Sequence, residues 1–189
     1  MTRQRILHTV SMLFTCYGIK GMTMAQVATS LGISKKTLYQ EFGDKEQLLN
    51  LCIQNELEAL NRTMDELEND ATSTLELIFT TSYELFEYFS AYCATFYKDI
   101  KMYPEVHYQL IELLADLKGR FTVFFQKGMD DGLFLLDGNY DSLSVVFARY
   151  LGPVESRPPF GILITCLRGI CTKQGLEELE RLKLSYPIF

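Results

Sequence analysis

A short polar stretch near the N-terminus carries side chains suited to binding DNA. Its members are Lys35, Lys36, Thr37, Tyr39 and Gln40. Lysines contact phosphates or guanine edges, and hydroxyl groups contact phosphate oxygens or base edges. Asp44 is the predicted cap of a helix that starts at Lys45, where free backbone N–H groups attract a second phosphate. The chemistry that these residues favour is non-covalent recognition of double-stranded DNA.

Catalytic and metal chemistry have little support in the sequence. A glycine-rich phosphate loop, a G-x-S-x-G elbow and an H-E-x-x-H motif are all absent. The five cysteines and two histidines lack the spacing of metal ligands. The many carboxylates fit solvated helix faces better than paired acid and base groups. We therefore predict a protein that is not an enzyme and needs no metal or cofactor.

Three short predicted helices must position the polar stretch. Apolar residues recur at helical spacing between Arg3 and Tyr17. A capping box at Thr23-Met24-Ala25-Gln26 starts a second helix, which Gly32 ends. Ser34 caps a third, from Lys35 to Glu41. With Leu31, Ile33 and Leu38 facing inward, these helices predict a helix-turn-helix. The alternative from these features alone is a helical hairpin whose lysines only face solvent.

Residues 3–53 resemble the DNA-binding domain of TetR (tetracycline-repressor-like) transcriptional regulators. The matching positions, in order and without a gap, are Arg5-Ile6-Leu7, Leu13-Phe14, Tyr17-Gly18, Thr23-Met24, Val27-Ala28, Leu31-Gly32-Ile33-Ser34, Thr37-Leu38-Tyr39, Phe42, Lys45-Glu46 and Leu48-Leu49. The DNA-binding residues predicted on this basis are Thr23, Ser34, Lys35, Lys36, Thr37, Tyr39, Gln40 and Lys45. Glu41 departs from the pattern, since the family often has a histidine or another phosphate-friendly residue there.

The resemblance implies a fold class and a function. We expect an all-α chain with a helix-turn-helix domain at residues 1–48 and an antiparallel helical effector-binding and dimerisation domain at residues 49–189. The implied function is sequence-specific transcriptional regulation, as a repressor released from operator DNA by a small organic ligand. Two alternatives stay open: an architectural DNA-binding protein without an effector, and a helical module that binds small molecules.

Composition and charge agree with a globular regulator. The chain has 189 residues, of which 48% are hydrophobic. Residues 1–54 hold six basic and three acidic side chains, a net charge of +3, whereas the rest holds 12 basic and 21 acidic ones, a net charge of −9. A basic module on an acidic body favours a local polyanion site. The sequence shows no membrane-spanning stretch or export signal, so we expect a cytoplasmic protein.

An aromatic-rich segment follows the predicted DNA-binding helices. The sequence predicts one uninterrupted helix from Leu75 to Ile100. Buried tyrosine hydroxyls need hydrogen-bond partners, and so favour a cavity for a small, mostly apolar effector between this helix and the one starting at Lys45. The predicted ligand-binding residues are Tyr83, Phe86, Phe89, Tyr92, Phe96, Tyr103 and His107. The alternative is that the aromatic rings simply fill a core.

Two later apolar segments, at residues 141–151 and 160–172, predict the surface of a homodimer. Their apolar side chains recur at helical spacing, and Gly161 and Gly169 leave room for close helix approach. The predicted interface residues are Phe147, Tyr150, Ile162, Cys166 and Ile170. The alternative is that these segments belong to the interior of a single chain.

Overall fold

The computed structural model describes residues 2–185 and contains ten helices in that range. They are α1 (Arg3–Tyr17), α2 (Met24–Leu31), α3 (Lys35–Phe42), α4 (Lys45–Asp70), α5 (Thr74–Ser90), α6 (Ala94–Ile100), α7 (Pro104–Asp130), α8 (Tyr140–Leu151), α9 (Gly161–Ile170) and α10 (Lys173–Ser185). The only extended pairing within the described range is an isolated bridge between Phe134 and Cys171. The predicted all-α fold class is confirmed.

The chain divides into two compact units. Unit 1 comprises residues 1–63 and 90–112, and unit 2 comprises residues 64–89 and 113–189. The division falls inside α4 and α7 and before the last residue of α5, whereas the sequence predicts a boundary between residues 48 and 49. Within residues 2–185, no helix combines the length and the apolarity that crossing a bilayer requires.

Unit 1 is built around a core shared by the first four helices and α6. Val10 and Phe14 from α1, Leu38 from α3 and Leu49 from α4 are buried in it. Phe96 and Ile100 from α6, with Val106 and Leu110 from the start of α7, belong to the same cluster. The helix-turn-helix therefore shares one core with α6 and the beginning of α7.

Unit 2 has a core rich in phenylalanine. The Phe125 ring lies 5.1 Å from the Phe147 ring and 5.8 Å from that of Phe134, centroid to centroid. Phe121 packs 5.3 Å from Phe147 in the same cluster. Edge contacts between such rings add to the stability that burial of their apolar area provides.

The predicted single helix from Leu75 to Ile100 is wrong, because the chain breaks between α5 and α6. Cys93 is extended, with φ −68° and ψ 151°, and forms the N-cap position of α6. Its backbone N–H donates to the Thr15 carbonyl oxygen of α1 at 3.1 Å instead of to a carbonyl within its own helix. A long-range hydrogen bond thus replaces the local one that would have continued the helix.

Candidate nucleic-acid interface

The turn between α2 and α3 has the geometry of a helix-turn-helix. Gly32 ends α2 in the left-handed conformation, with φ 65° and ψ 28°, and its N–H donates to carbonyls of the last turn. The Ile33 N–H donates to the Ala28 carbonyl oxygen at 3.1 Å. A left-handed residue favours glycine because a Cβ atom there is strained. The conformation of this turn sets the angle at which α3 leaves α2.

Side-chain caps fix the N-termini of α2, α3 and α4. The Thr23 hydroxyl accepts from the Gln26 N–H at 3.3 Å, and the Gln26 side-chain oxygen accepts from the Thr23 N–H at 2.9 Å. Ser34 accepts from the Thr37 N–H at 3.0 Å, and its hydroxyl lies 2.8 Å from the Thr37 hydroxyl. Asp44 accepts from the Gln47 N–H at 2.9 Å. All three predicted caps are confirmed, and each side chain accepts a hydrogen bond from an N–H group in the first turn of its helix.

One side of α3 is free in the protomer while the other is buried. Leu38 and Phe42 are buried in the core of unit 1. We call the exposed side the α3 face, and it consists of Lys35, Lys36, Thr37, Tyr39 and Gln40. The Lys35 ammonium lies 5.7 Å from the centre of the Tyr39 ring, a cation–π distance. The α3 face thus presents ammonium, hydroxyl and amide groups together.

Lys45 and Glu41 border the α3 face at its C-terminal end. Lys45 is the first residue of α4 and is half-buried, and this burial lowers the pKa of its ammonium, while the Asp99 charge acts in the opposite direction. Glu41 is exposed. The helix start beside Lys45 adds partial positive charge through its free N–H groups. This end of the surface therefore combines one cation with one carboxylate.

A contact that the sequence did not predict joins α6 to the turn between α1 and α2. The Asp99 carboxylate accepts from the Lys20 backbone N–H at 2.7 Å, and its other oxygen lies 3.8 Å from the Lys20 ammonium. Gly18 in this turn has φ 76°, and a Cβ atom there would lie 2.9 Å from the Thr95 hydroxyl oxygen. The signal in the sequence is Asp99, the one acid of α6, which the structure buries.

The predicted ligand-binding residues divide between the two units. Tyr83, Phe86 and Phe89 belong to unit 2. Tyr92, Phe96, Tyr103 and His107 belong to unit 1. Phe96 is buried, with its ring 4.8 Å from that of Tyr92, and burial raises the pKa of the half-buried Tyr103. His107 is exposed. Tyr92 and Phe96 thus pack together in unit 1, whereas Tyr83 and Phe86 both contact Phe160 in unit 2.

The predicted dimer residues differ in what they offer to a partner. Ile162 is 47% exposed, and Cys166 and Ile170 are half-buried. The Tyr150 hydroxyl donates to the Pro159 carbonyl oxygen at 2.5 Å. Phe147 is fully buried between Phe121 and Phe125, so its assignment to the interface is wrong. Helical spacing places Phe147 on an apolar helix face, but it does not show that other residues of unit 2 cover this face.

Acidic, histidine and cysteine side chains form no group of three or more that could hold a metal ion anywhere in residues 2–185. The five cysteines are free. The arrangement in unit 1 suits binding of a polyanion through exposed cations, hydroxyls and helix N-termini.

Comparisons with known proteins agree with this geometry. Residues 6–52 match the family described as bacterial regulatory proteins of the tetR family. The chain is 26% identical over 144 residues to the HTH-type transcriptional repressor KstR2 of Mycolicibacterium smegmatis, an alignment that covers 74% of this chain and 70% of that protein. Helix-turn-helix geometry and relatives thus point to the same class of protein.

Solved structures share the fold over nearly the whole chain. A TetR-family transcriptional regulator from Marinobacter aquaeolei VT8 superposes with a TM-score of 0.73 at 18% identity, over 98% of this chain and 99% of that one. The TetR family regulator CifR, solved with 26-bp double-strand operator DNA, gives a TM-score of 0.65 at 19% identity, over 96% of this chain and 95% of that one.

Proposed function

Since the chain belongs to the TetR family of DNA-binding transcriptional regulators, we propose that it is a repressor that binds a near-palindromic operator as a homodimer. The observation that carries this proposal is the α3 face, which is exposed while Leu38 and Phe42 of the same helix are buried. A recognition helix must have this division, because its inner side anchors it and its outer side enters the major groove.

Separate roles follow for the polar groups of this surface. Lys36 and Thr37, in the first turn of α3, are assigned to base edges, since the N-terminal residues of a recognition helix make the base contacts. Tyr39 and Lys45 are assigned to phosphates. Thr23 and Ser34 present the N-termini of α2 and α3 to the DNA backbone, where free N–H groups attract phosphate. Lys35 and Gln40 complete the contact surface.

Release from the operator is assigned to a small, mostly apolar organic effector. Supporting this are the aromatic side chains Tyr83, Phe86 and Phe89 on α5, because binding sites for such molecules are lined with aromatic rings and a few polar groups. α4 is one continuous helix that contributes Lys45 to unit 1 and its last turns to unit 2. An effector acts only through a difference in its affinity for the DNA-bound and free arrangements, and tenfold release requires about 1.4 kcal/mol of coupling.

Selection of bound sequences from random duplex DNA tests the DNA-binding proposal. We expect enrichment of an inverted repeat whose half-sites lie about one helical turn, or a multiple of it, apart. Competition at several salt concentrations then separates specific from general electrostatic binding. Uniform recovery of sequences would instead favour the architectural alternative, a DNA-binding protein without sequence preference or effector.

A thermal-shift screen of chemically diverse compounds tests the effector proposal. Compounds that stabilise the protein are carried into an operator-binding assay, where we expect a loss of operator affinity. Compounds that stabilise the protein but leave operator affinity unchanged would contradict the coupling while leaving DNA binding intact.

A further inference from the structure

One face of α5 is occupied by side chains from the connection between α8 and α9. We call this the α5 aromatic face, formed by Phe79, Tyr83, Phe86 and Phe89. The Phe160 ring meets three of these rings edge-on, with centroids at 6.1 Å from Phe79, 5.9 Å from Tyr83 and 5.2 Å from Phe86. Phe160 is only 5% exposed. The Phe160 ring thus covers three of the four aromatic side chains of this face.

A cation covers the next part of the same face. The Arg157 guanidinium carbon lies 5.4 Å from the centre of the Phe86 ring and 5.9 Å from that of Phe89. Both distances are within the range of cation–π attraction. Arg157 and Phe160 together place a cation and an aromatic ring, three residues apart in the chain, on the α5 aromatic face. We call these two side chains the plug.

The plug is held from its own side by α8. Arg157 donates to the carbonyl oxygens of Tyr150 and Leu151 at 3.0 Å each and to that of Gly152 at 2.7 Å. The Tyr150 hydroxyl shares its one proton between the carbonyl oxygens of Pro158 and Pro159, at 2.8 and 2.5 Å. The Arg157 bonds satisfy carbonyl groups at the C-terminal end of α8. On the α5 side, Phe160 makes edge-to-face contacts and Arg157 makes cation–π contacts with the α5 aromatic face.

Ser82 supplies a polar group on this face without a protein partner. It lies three residues after Phe79 and four before Phe86, so it shares their side of the helix. It is fully buried, and its hydroxyl oxygen has no hydrogen-bond partner in residues 2–185. A buried hydroxyl without a partner costs free energy, and most such groups in proteins are satisfied. A ligand that bonds to Ser82 would recover that cost.

We propose that the α5 aromatic face is a binding site for an aromatic cation, and that Arg157 and Phe160 are a built-in mimic of this ligand. The ligand's ring replaces that of Phe160, its cationic group replaces the Arg157 guanidinium, and one of its N–H groups donates to Ser82. This inference rests on the proposed effector function and names the effector's chemical class. Exposed Glu84 and Glu87 on the same helix favour approach of a cation over an anion.

Because the plug must leave before the ligand binds, the apparent affinity is the intrinsic one reduced by the fraction of open protein. Weakening the plug therefore strengthens binding. The probe is benzylguanidine, and its matched control is benzylurea, which has nearly the same shape without the charge. For Arg157→Ala in the full chain, calorimetry is expected to show at least about tenfold tighter binding of benzylguanidine than for the wild type.

Two controls define the site. Benzylurea is expected to bind at least about tenfold more weakly than benzylguanidine, since the rings attract a cation and not a neutral group. Ser82→Ala on the Arg157→Ala background is expected to weaken benzylguanidine binding several-fold. Equal binding of the two probes, or no gain for Arg157→Ala, would overturn the proposal.

A fluorescent variant follows the plug directly. The chain has no tryptophan, so Phe160→Trp provides a single reporter. We expect emission typical of a buried ring, and a red shift when benzylguanidine releases the plug. A ligand that binds without moving this emission would contradict displacement.

Operator binding without ligand, measured on the same variants, keeps the two proposals apart. We expect variants that no longer bind benzylguanidine to bind the operator as the wild type does when no ligand is present. If benzylguanidine binds and displaces the plug without changing operator affinity, the effector function is wrong and the binding site stands.

Discussion

Lys36 and Lys45 are both basic residues of the DNA-binding unit, but they occupy different kinds of position. Lys36 is exposed in the first turn of α3, whereas Lys45 is half-buried at the first position of α4. A long exposed side chain in the recognition helix can follow a base edge. The half-buried Lys45 lies beside helix N–H groups and so suits a phosphate contact, which is the same for every DNA sequence.

Alanine substitutions of these residues should therefore have different effects. Lys36→Ala is expected to cost about 1–3 kcal/mol on the selected operator and much less on random DNA, because a base contact carries discrimination. Lys45→Ala is expected to weaken binding to both DNAs alike and to reduce the salt dependence by about one phosphate contact. Titrations of both variants on both DNAs, at three salt concentrations, check this; equal losses for Lys36→Ala would contradict the division.

Glu41 places a negative charge in the last turn of α3, close in sequence to Lys45. An exposed carboxylate beside DNA repels the phosphates, and this repulsion is strongest when little salt screens it. Glu41→Gln is thus expected to tighten operator binding several-fold at about 50 mM salt and little at high salt. The same titration with Glu58→Gln, an exposed acid of α4, provides the control. Tightening of equal size in both variants would show a general charge effect and not a local one.

The helix caps and the exposed polar side chains of the recognition region were predictable from the sequence, because both depend on neighbours within about four residues. Thr23, Ser34 and Asp44 are examples. Phe147 was not predictable in the same way. Its spacing is that of an apolar helix face, and only the packing of Phe121 and Phe125 shows that the face is covered within one chain.

Among the elements, α6 is the one whose existence depends most on distant residues. The α1, α2 and α3 helices begin and end where local caps and glycines predict. The start of α6 follows instead from the bond between the Cys93 N–H and the Thr15 carbonyl oxygen, 78 residues apart in the chain. Helical periodicity through this region continues past the break, so a pattern in the sequence alone predicts a longer helix.

The attachment of α6 to the α1–α2 turn predicts a specific stability effect. Asp99→Ala leaves the Lys20 backbone N–H without its partner at 2.7 Å and is expected to lower the free energy of unfolding by about 1–3 kcal/mol. Lys20→Ala keeps that hydrogen bond and removes an ammonium that is 60% exposed, so we expect a change below about 1 kcal/mol. Urea denaturation of the two variants measures the difference, and equal losses would mean that the backbone contact contributes nothing.

At the scale of the whole molecule, basic side chains are concentrated in the N-terminal part of the chain, which carries the proposed DNA-binding helices. The chain has a net charge of −6, yet its first 54 residues have an excess of basic side chains. Such a small basic module binds DNA weakly alone, and two copies spaced about 34 Å apart are needed to read successive major grooves. Specific binding should therefore depend on dimerisation.

Ile162 and Phe147 separate dimerisation from folding. Ile162 is 47% exposed on α9, so Ile162→Asp is expected to leave unit 2 folded, place a charge in the proposed interface and give monomers with at least about tenfold weaker operator binding. Phe147 is fully buried on α8, and Phe147→Asp is expected to unfold unit 2, since an unpaired charge in a core costs several kcal/mol. Sedimentation velocity gives the mass and circular dichroism the helix content, with Gln174→Asp, an exposed position on α10, as the control. If Ile162→Asp remains a dimer with full operator affinity, the α9 surface is not the interface.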